Sequence, residues 1–207
     1  MYRPAQFRED DPSVLDAFVT AHPLGALVTS GADGLIANHI PMQLTRTADG
    51  VRLRGHIARA NDLWKTVAPA SRVVVLFGGA QRYITPSWYP TKQATGEVVP
   101  TWNYCVVHAH GAIRFFDDRE ELHALVTVLT DHHEASRKRP WAVGDAPAPY
   151  IDGMLRAIVG FDIAVDRLEG KFKASQNRNP ADRDGVAQGM LADGVDTATR
   201  EELVRQR

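Results

Sequence analysis

Apolar and polar positions alternate with a period of two through much of the first 170 residues. Residues 51–57 show it most clearly: Val51, Leu53, Gly55 and Ile57 alternate with Arg52, Arg54 and His56, which predicts a strand with one buried face. Residues 24–30 read as a short apolar strand, and Gly-Ala-Asp-Gly at 31–34 as a hairpin turn. In the next strand, 35–44, Ile36, Asn38, Ile40, Met42 and Leu44 share one face, while Ala37, His39 and Pro41 share the other. Pro41 predicts an edge or a bulge there, because it has no N–H for a ladder. A second turn falls at 47–50, and residues 72–77 (RVVVLF) form a buried strand that Gly78-Gly79 is expected to break. Residues 101–116 form a long strand whose small, apolar face (Cys105, Val107, Ala109, Gly111, Ile113, Phe115) suits a tight barrel interior. Its other face (Tyr104, Val106, His108, His110, Arg114, Phe116) suits a subunit interface. The last strand, 157–168, presents Val159, Phe161, Ile163 and Val165.

Helical spacing takes over elsewhere. Val14, Leu15, Phe18 and Val19 make a stripe that starts at Pro12 or Ser13 and is closed by His22-Pro23. Residues 60–67 read as a short helix with Asn61 as N-cap, and 117–134 as a long one with acids in its first turn. Residues 150–156 add a short helix, Asn179-Pro180 opens one running to about 191, and 197–207 forms the last. The sum is mainly β with helices (α+β): six strands joined mostly by hairpins, hence a small antiparallel barrel with peripheral and C-terminal helices. The absence of a helix between the early strands argues against a doubly wound parallel sheet. The expected organisation is a barrel domain over 1–170, with a polar segment and two helices at 171–207 packed on it.

Composition narrows the partners. A net charge of −1 over 207 residues gives no global field for nucleic acid or an anionic membrane. From Pro180 onward six acids face four arginines, so direct DNA binding by the terminal helices lacks a basic surface. One cysteine excludes an intramolecular disulfide, and no apolar run approaches 18 residues. With no apolar signal region in MYRPAQFREDD, the expectation is a cytoplasmic protein without membrane contact.

Three segments carry candidate chemistry. Residues 81–111 hold Trp88, Tyr89, Lys92, Trp102, Asn103 and Tyr104, whose flat rings and donors suit a planar heteroaromatic ligand such as an isoalloxazine, a haem or a base, and equally a dimer contact. Its Pro and Gly content argues against a helix across its first two-thirds. At 55–61, His56, Arg59 and Asn61 arrive at a strand-to-helix corner where unpaired N–H groups and a guanidinium suit a phosphate; a routine corner with an exposed Arg is the other reading. At Asn38-His39-Ile40-Pro41, the histidine either meets a ligand ring or satisfies a carbonyl. No metal site is expected: Asp131, His132, His133 and Glu134 are adjacent on a helix and diverge, and His108 and His110 lack a third ligand in sequence. There is no nucleophile elbow and no GxGxxG before a helix.

MYRPAQF, NHIPMQL, GHIARAN, YITPSWYP, VPTWNYCVVHAHG and KASQNR occur in that order, and over nearly the whole chain the sequence resembles the PaiB-type, FMN-binding negative transcriptional regulators of the FMN-binding split-barrel superfamily. The resemblance implies a six-stranded split barrel and a homodimer with FMN between subunits. By position it implies FMN phosphate at His56–Asn61, the flavin ring beside Asn38, His39 and Ile40, and Trp102, Asn103 and Tyr104 at the cleft wall. Lys173, Ser175, Gln176 and Arg178 match the family's C-terminal polar motif, and Tyr83, Trp88, Tyr89 and Lys92 would cover the ligand. Asp62 stands where the family usually has Pro. An FMN-dependent oxidoreductase, with His39, His56 or Tyr104 positioning substrate, and a haem-binding split-barrel protein, with His108 as axial ligand, are the alternatives.

Overall fold

In a computed structural model, residues 1–31 and 34–204 are described. The strands are β1 (Arg8–Glu9), β2 (Leu24–Gly31), β3 (Gly34–Pro41), β4 (Gln43–Thr47), β5 (Gly50–Ala58), β6 (Arg72–Ile84), β7 (Thr101–Phe116) and β8 (Ile158–Lys173). The helices are α1 (Pro12–Ala21), α2 (Leu63–Thr66), α3 (Pro90–Ala94), α4 (Arg119–Glu134), α5 (Ala148–Arg156), α6 (Pro180–Ala192) and α7 (Thr197–Leu203). Strand pairing runs β3-β2-β6-β7-β8-β5-β4, with β1 added to β8, and every register given is antiparallel.

The expected six strands are all present, and two more appear. The strand expected at 35–44 is divided at Met42, which is buried and whose N–H goes to the Pro23 carbonyl at 2.9 Å. Pro41 thus marks the end of an edge strand rather than a bulge, since β3 ends the strand order. The other addition is the two-residue β1, too short to show a period. Gly78-Gly79 does not end β6, which continues to Ile84. Residues 81–111 do contain a helix, α3, because Pro90 sits in its first turn, where a missing N–H costs nothing. The centre of the turn expected at 31–34 and the end of the helix expected at 197–207 lie outside the described residues.

The chain divides into two compact units, each assembled from separated segments. One contains residues 19–76 and 109–167. In it β5 buries Leu53 and Ile57, and β8 buries Val159, Phe161 and Ile163. A Cβ on Gly111 of β7 would lie 2.3 Å from the Ala164 carbonyl oxygen, so only glycine permits this approach. Helix α4 starts at Asp118, whose side chain accepts the Glu121 N–H at 2.9 Å. Its Leu122, Leu125 and Leu129 form a second core with Phe116 and Leu155, each such side chain contributing about 1.5–3 kcal/mol by burial. Phe116 is therefore covered by the protein's own helices, not left for a subunit interface.

The other unit contains residues 1–18, 77–108 and 168–207. Here β1 lies on β8 (Arg8 opposite Lys171), and Phe18 packs on Phe172 at 5.2 Å between centroids. Asn179 caps α6 by accepting the Asp182 N–H at 2.8 Å, as Asn179-Pro180 predicts. Asp182 is buried but supported: it accepts from the Thr91 N–H at 3.1 Å and from Asn179 Nδ2 at 3.2 Å. Helix α7 is held by Glu202, which accepts the Ala80 N–H at 2.9 Å, and by the fully buried Leu203.

Gly111→Ala should lower stability by about 1–3 kcal/mol or more, since the clash is with backbone rather than a yielding side chain. Gly78→Ala, with open space around it, should be neutral or slightly stabilising. Urea unfolding midpoints of the two variants check both.

Candidate functional site

Two of the segments singled out in sequence meet in space. Asn61 Nδ2 donates to Asn38 Oδ1 at 2.9 Å, tying the corner after β5 to the middle of β3. Asn61 Oδ1 accepts the Leu63 N–H at 3.1 Å, so Asn61 does cap the following turn, from one position earlier than a formal N-cap. That turn, α2, is only four residues long, so it supplies little of the helix dipole that a phosphate would use. Ile40 is buried and His39 is exposed, as their alternation on β3 requires.

Arg59 is committed to the protein. Its Nε donates to the Arg156 carbonyl at 2.8 Å, Nη2 to the Ile158 carbonyl at 3.1 Å, and Nη1 pairs with Asp117 at 3.2 Å. The guanidinium also lies over the Trp64 ring, 5.6 Å from its centroid. The cation with freedom at this corner is Lys65, whose Nζ contacts Asp62 at 2.7 Å with both side chains more than half exposed. Sequence reading missed Lys65 because a lysine on a short helix has no distinguishing spacing.

The aromatic stretch separates into several environments. Tyr83, Trp88 and Trp102 line one cleft of about 340 Å³ together with Arg82 and Asp193. Tyr83 and Trp102 meet edge-to-face at 6.3 Å between centroids. Tyr89 is only 1% exposed, lies under Arg178 at 4.7 Å, and has its hydroxyl pushed up by burial. Lys92 is exposed on α3 and donates to Ser87 Oγ at 3.3 Å. Trp102, Asn103 and Tyr104 do not form one wall, because consecutive strand residues point to opposite faces. Asn103 is fully buried and donates to Ser175 Oγ at 2.9 Å, and Tyr104 lies under Lys171 at 5.3 Å. Asp193 and Arg82 gave no sequence signal, since their 2.8 Å pair joins positions 111 residues apart.

The C-terminal polar motif is held partly by its own backbone and partly by β7. Gln176 accepts the Ala174 N–H at 2.7 Å and donates to the Phe172 carbonyl. Lys173 donates to Thr101 Oγ1, and its ammonium is held below the usual lysine range by burial. Ser175 is buried in the left-handed region, at φ 63°, a conformation that costs a non-glycine residue of order 1 kcal/mol.

Residues 1–167 match the family described as "Putative FMN-binding domain". The chain belongs to this FMN-binding-domain family. It is 32% identical to the Bacillus subtilis protease synthase and sporulation protein PAI 2, over 88% of this chain and 85% of that one. Its fold is similar to that of the flavocytochrome Anf3 from Azotobacter vinelandii, with a TM-score of 0.60, 13% identity, and coverage of 84% of this chain and 72% of that one. The FAD- and haem-binding protein of Mycobacterium smegmatis gives 0.56 at 14% identity, over 80% and 72%. The split-barrel expectation holds. Of the residues read as candidates, Lys173, Ser175 and Gln176 lie beyond the family match, as do α6 and α7.

Within this family member, His56 lines a cavity of about 380 Å³ with Pro41, Leu129, His133, Glu134 and Trp141. Its Nδ1 is buried without a partner among the described residues, and no described hydrogen bond joins it to Asn38 or Asn61. Burial holds its pKa below the ordinary 6.5. As pH falls, the unfolded chain protonates this histidine first, so the stability it contributes is complete above about pH 6.5 and is lost as pH drops from there toward the folded pKa. Urea midpoints of the protein should fall between about pH 8 and pH 5.5, and His56→Gln should reduce that fall.

Proposed function

We propose that the protein binds FMN with the phosphate end at the corner between β5 and α2. The observation that carries this is the Asn61–Asn38 bond, because it unites two segments that were singled out separately. The donor set fits a phosphate. Asn38 has no described partner but Asn61, which leaves its own amide hydrogens to donate. Lys65 is held by an exposed pair with Asp62, an interaction worth about 0–1 kcal/mol that a phosphate dianion can displace, and its ammonium also lies over the Trp64 ring at 5.3 Å. Arg59 supports the corner from behind through the Arg156 and Ile158 carbonyls. Bound FMN supplies redox chemistry; the chain supplies binding and orientation.

We further propose a homodimer. Residues 34–37 of β3 are all exposed, with Leu35 at 78% and Ile36 at 41%, and β3 ends the strand order. An open edge carrying exposed apolar side chains invites another chain. Regulation by such a protein would act through ligand and dimer rather than a DNA-reading helix. Four of the six acids from Pro180 onward have partners within the chain, Asp182 with Thr91, Asp193 with Arg82, Asp196 with the Thr199 N–H and Glu202 with Ala80, while Asp184 and Glu201 are exposed.

Fluorescence titration with FMN should show Lys65→Ala and Asn38→Ala weakening binding by about 1.5–3 kcal/mol each, the range for hydrogen bonds to a charged group. Arg59→Ala should mainly lower the unfolding midpoint. Unchanged affinity in both of the first two variants would remove the phosphate from this corner. A parallel titration with haem tests the other planar ligand, since a Soret band would favour it. Sedimentation of the wild type should give a dimer and of Leu35→Lys a monomer; a wild-type monomer at micromolar concentration overturns the dimer.

A further inference from the structure

The cleft containing Tyr83, Trp88 and Trp102 has a different character from the phosphate corner. Its walls are flat and largely uncovered: Tyr83 is 48% exposed and Trp102 47%. The third ring, Trp88, is fixed. A Cβ at Gly189 of α6 would fall 2.3 Å from the Trp88 ring, so that indole is packed directly on the helix backbone. Arg82 lies over the same ring at 5.9 Å and is anchored to Asp193 through Nη2 alone, at 2.8 Å. A rigid aromatic platform loses little entropy when a ring stacks on it.

The hydrogen-bonding inventory of the cleft is lopsided. The indole N–H groups of Trp88 and Trp102, the Tyr83 hydroxyl, and Nε and Nη1 of Arg82 have no protein partner among the described residues. Four of these five groups can only donate, and the fifth donates as readily as it accepts. The nearby carboxylate, Asp193, is already engaged by Arg82. Such a surface is matched by a flat ring that brings acceptors of its own.

We propose that this cleft is a second small-molecule site, taking a planar aromatic carboxylate whose ring stacks on Trp102 with Tyr83 against its edge and whose carboxylate accepts from Arg82. A carboxylate can take two parallel hydrogen bonds from one guanidinium, which fixes the ring's orientation as well as its position. The site is built partly by the segment that lies beyond the family match, since both Asp193 and Gly189 come from there. It does not depend on the FMN reading, and Arg82 is no part of the phosphate corner.

Calorimetric titration of the full-length protein with 2-naphthoate tests it, with naphthalene-2-methanol as the neutral counterpart. The expected result is saturable binding of 2-naphthoate at one site per chain, at least tenfold weaker for the alcohol. Arg82→Gln should weaken 2-naphthoate at least tenfold while leaving the alcohol and FMN unaffected. Trp102→Leu should weaken both naphthalene probes. Absence of saturable binding, or equal affinity of wild type and Arg82→Gln, overturns the proposal. So does displacement of 2-naphthoate by riboflavin, which lacks the phosphate and would assign the cleft to a flavin ring. Loss of FMN binding in Lys65→Ala with 2-naphthoate binding intact would keep the two sites distinct.

Discussion

β7 is packed on both of its faces, and the rest of the unit formed by residues 19–76 and 109–167 follows from that. On one face Gly111 lies so close to the Ala164 carbonyl that no side chain fits. On the other, Phe116 is pressed into the core beneath α4. The Arg54 and Arg114 guanidinium groups lie over its ring, each 5.1 Å from the centroid, and both donate to Glu121 of α4, at 2.6 and 2.8 Å. Asp162, only 7% exposed, accepts from Arg52 at 3.1 Å and lies 3.6 Å from both Arg54 and Arg114. A carboxylate so far from water is tolerable because several cations share it. The apolar contact and the ionic layer over it therefore stand or fall together: moving α4 would uncover the Phe116 ring and leave Asp162 with cations that had lost Glu121.

Much of this was legible in the sequence. Strict alternation in 51–57 and 101–116 placed the buried faces of β5 and β7, because burial on one face of a strand permits no other period. Asn179-Pro180 and Asp118 marked helix starts through cap chemistry that is local to a few residues. The failures have equally physical causes. Gly78-Gly79 read as a break, yet glycine is tolerated in a strand whose neighbours supply the ladder. The cover over the outer face of β7 was missed because α4 meets Phe116 only through tertiary packing, and its own stripe does not say what it packs on.

The candidate site was legible as a set of segments rather than as a set of neighbours. Asn38 and Asn61 were each suspected for local reasons, and only folding shows that their amides bond. In the other direction, Trp102, Asn103 and Tyr104 looked like one wall because they are adjacent in sequence. The same alternation that identified β7 as a strand sends Asn103 into the interior and its two neighbours outward. Arg59 shows a third kind of limit. A guanidinium beside a glycine-led corner suits a phosphate by residue type, but two exposed-end carbonyls and Asp117 occupy every nitrogen it has. Residue type sets what a side chain can do, and its competing partners decide what it does.

Competition of this kind also separates the two proposed ligand sites. At the corner the amides of Asn38 and Asn61 and the exposed ammonium of Lys65 are polar groups suited to charge, and the one indole there, Trp64, already lies under Arg59 and Lys65. In the cleft the platform comes first: an indole fixed on the backbone of α6, with a second indole and a phenol standing open to solvent. Arg82 is the member that would give such a platform direction. Asp193 engages it through Nη2, and Nε and Nη1 have no partner among the described residues, so the ion pair restrains the guanidinium without using up its capacity to donate. An arginine held by two carboxylates would have lost that capacity, and one held by none would carry more rotamer entropy into any complex it formed.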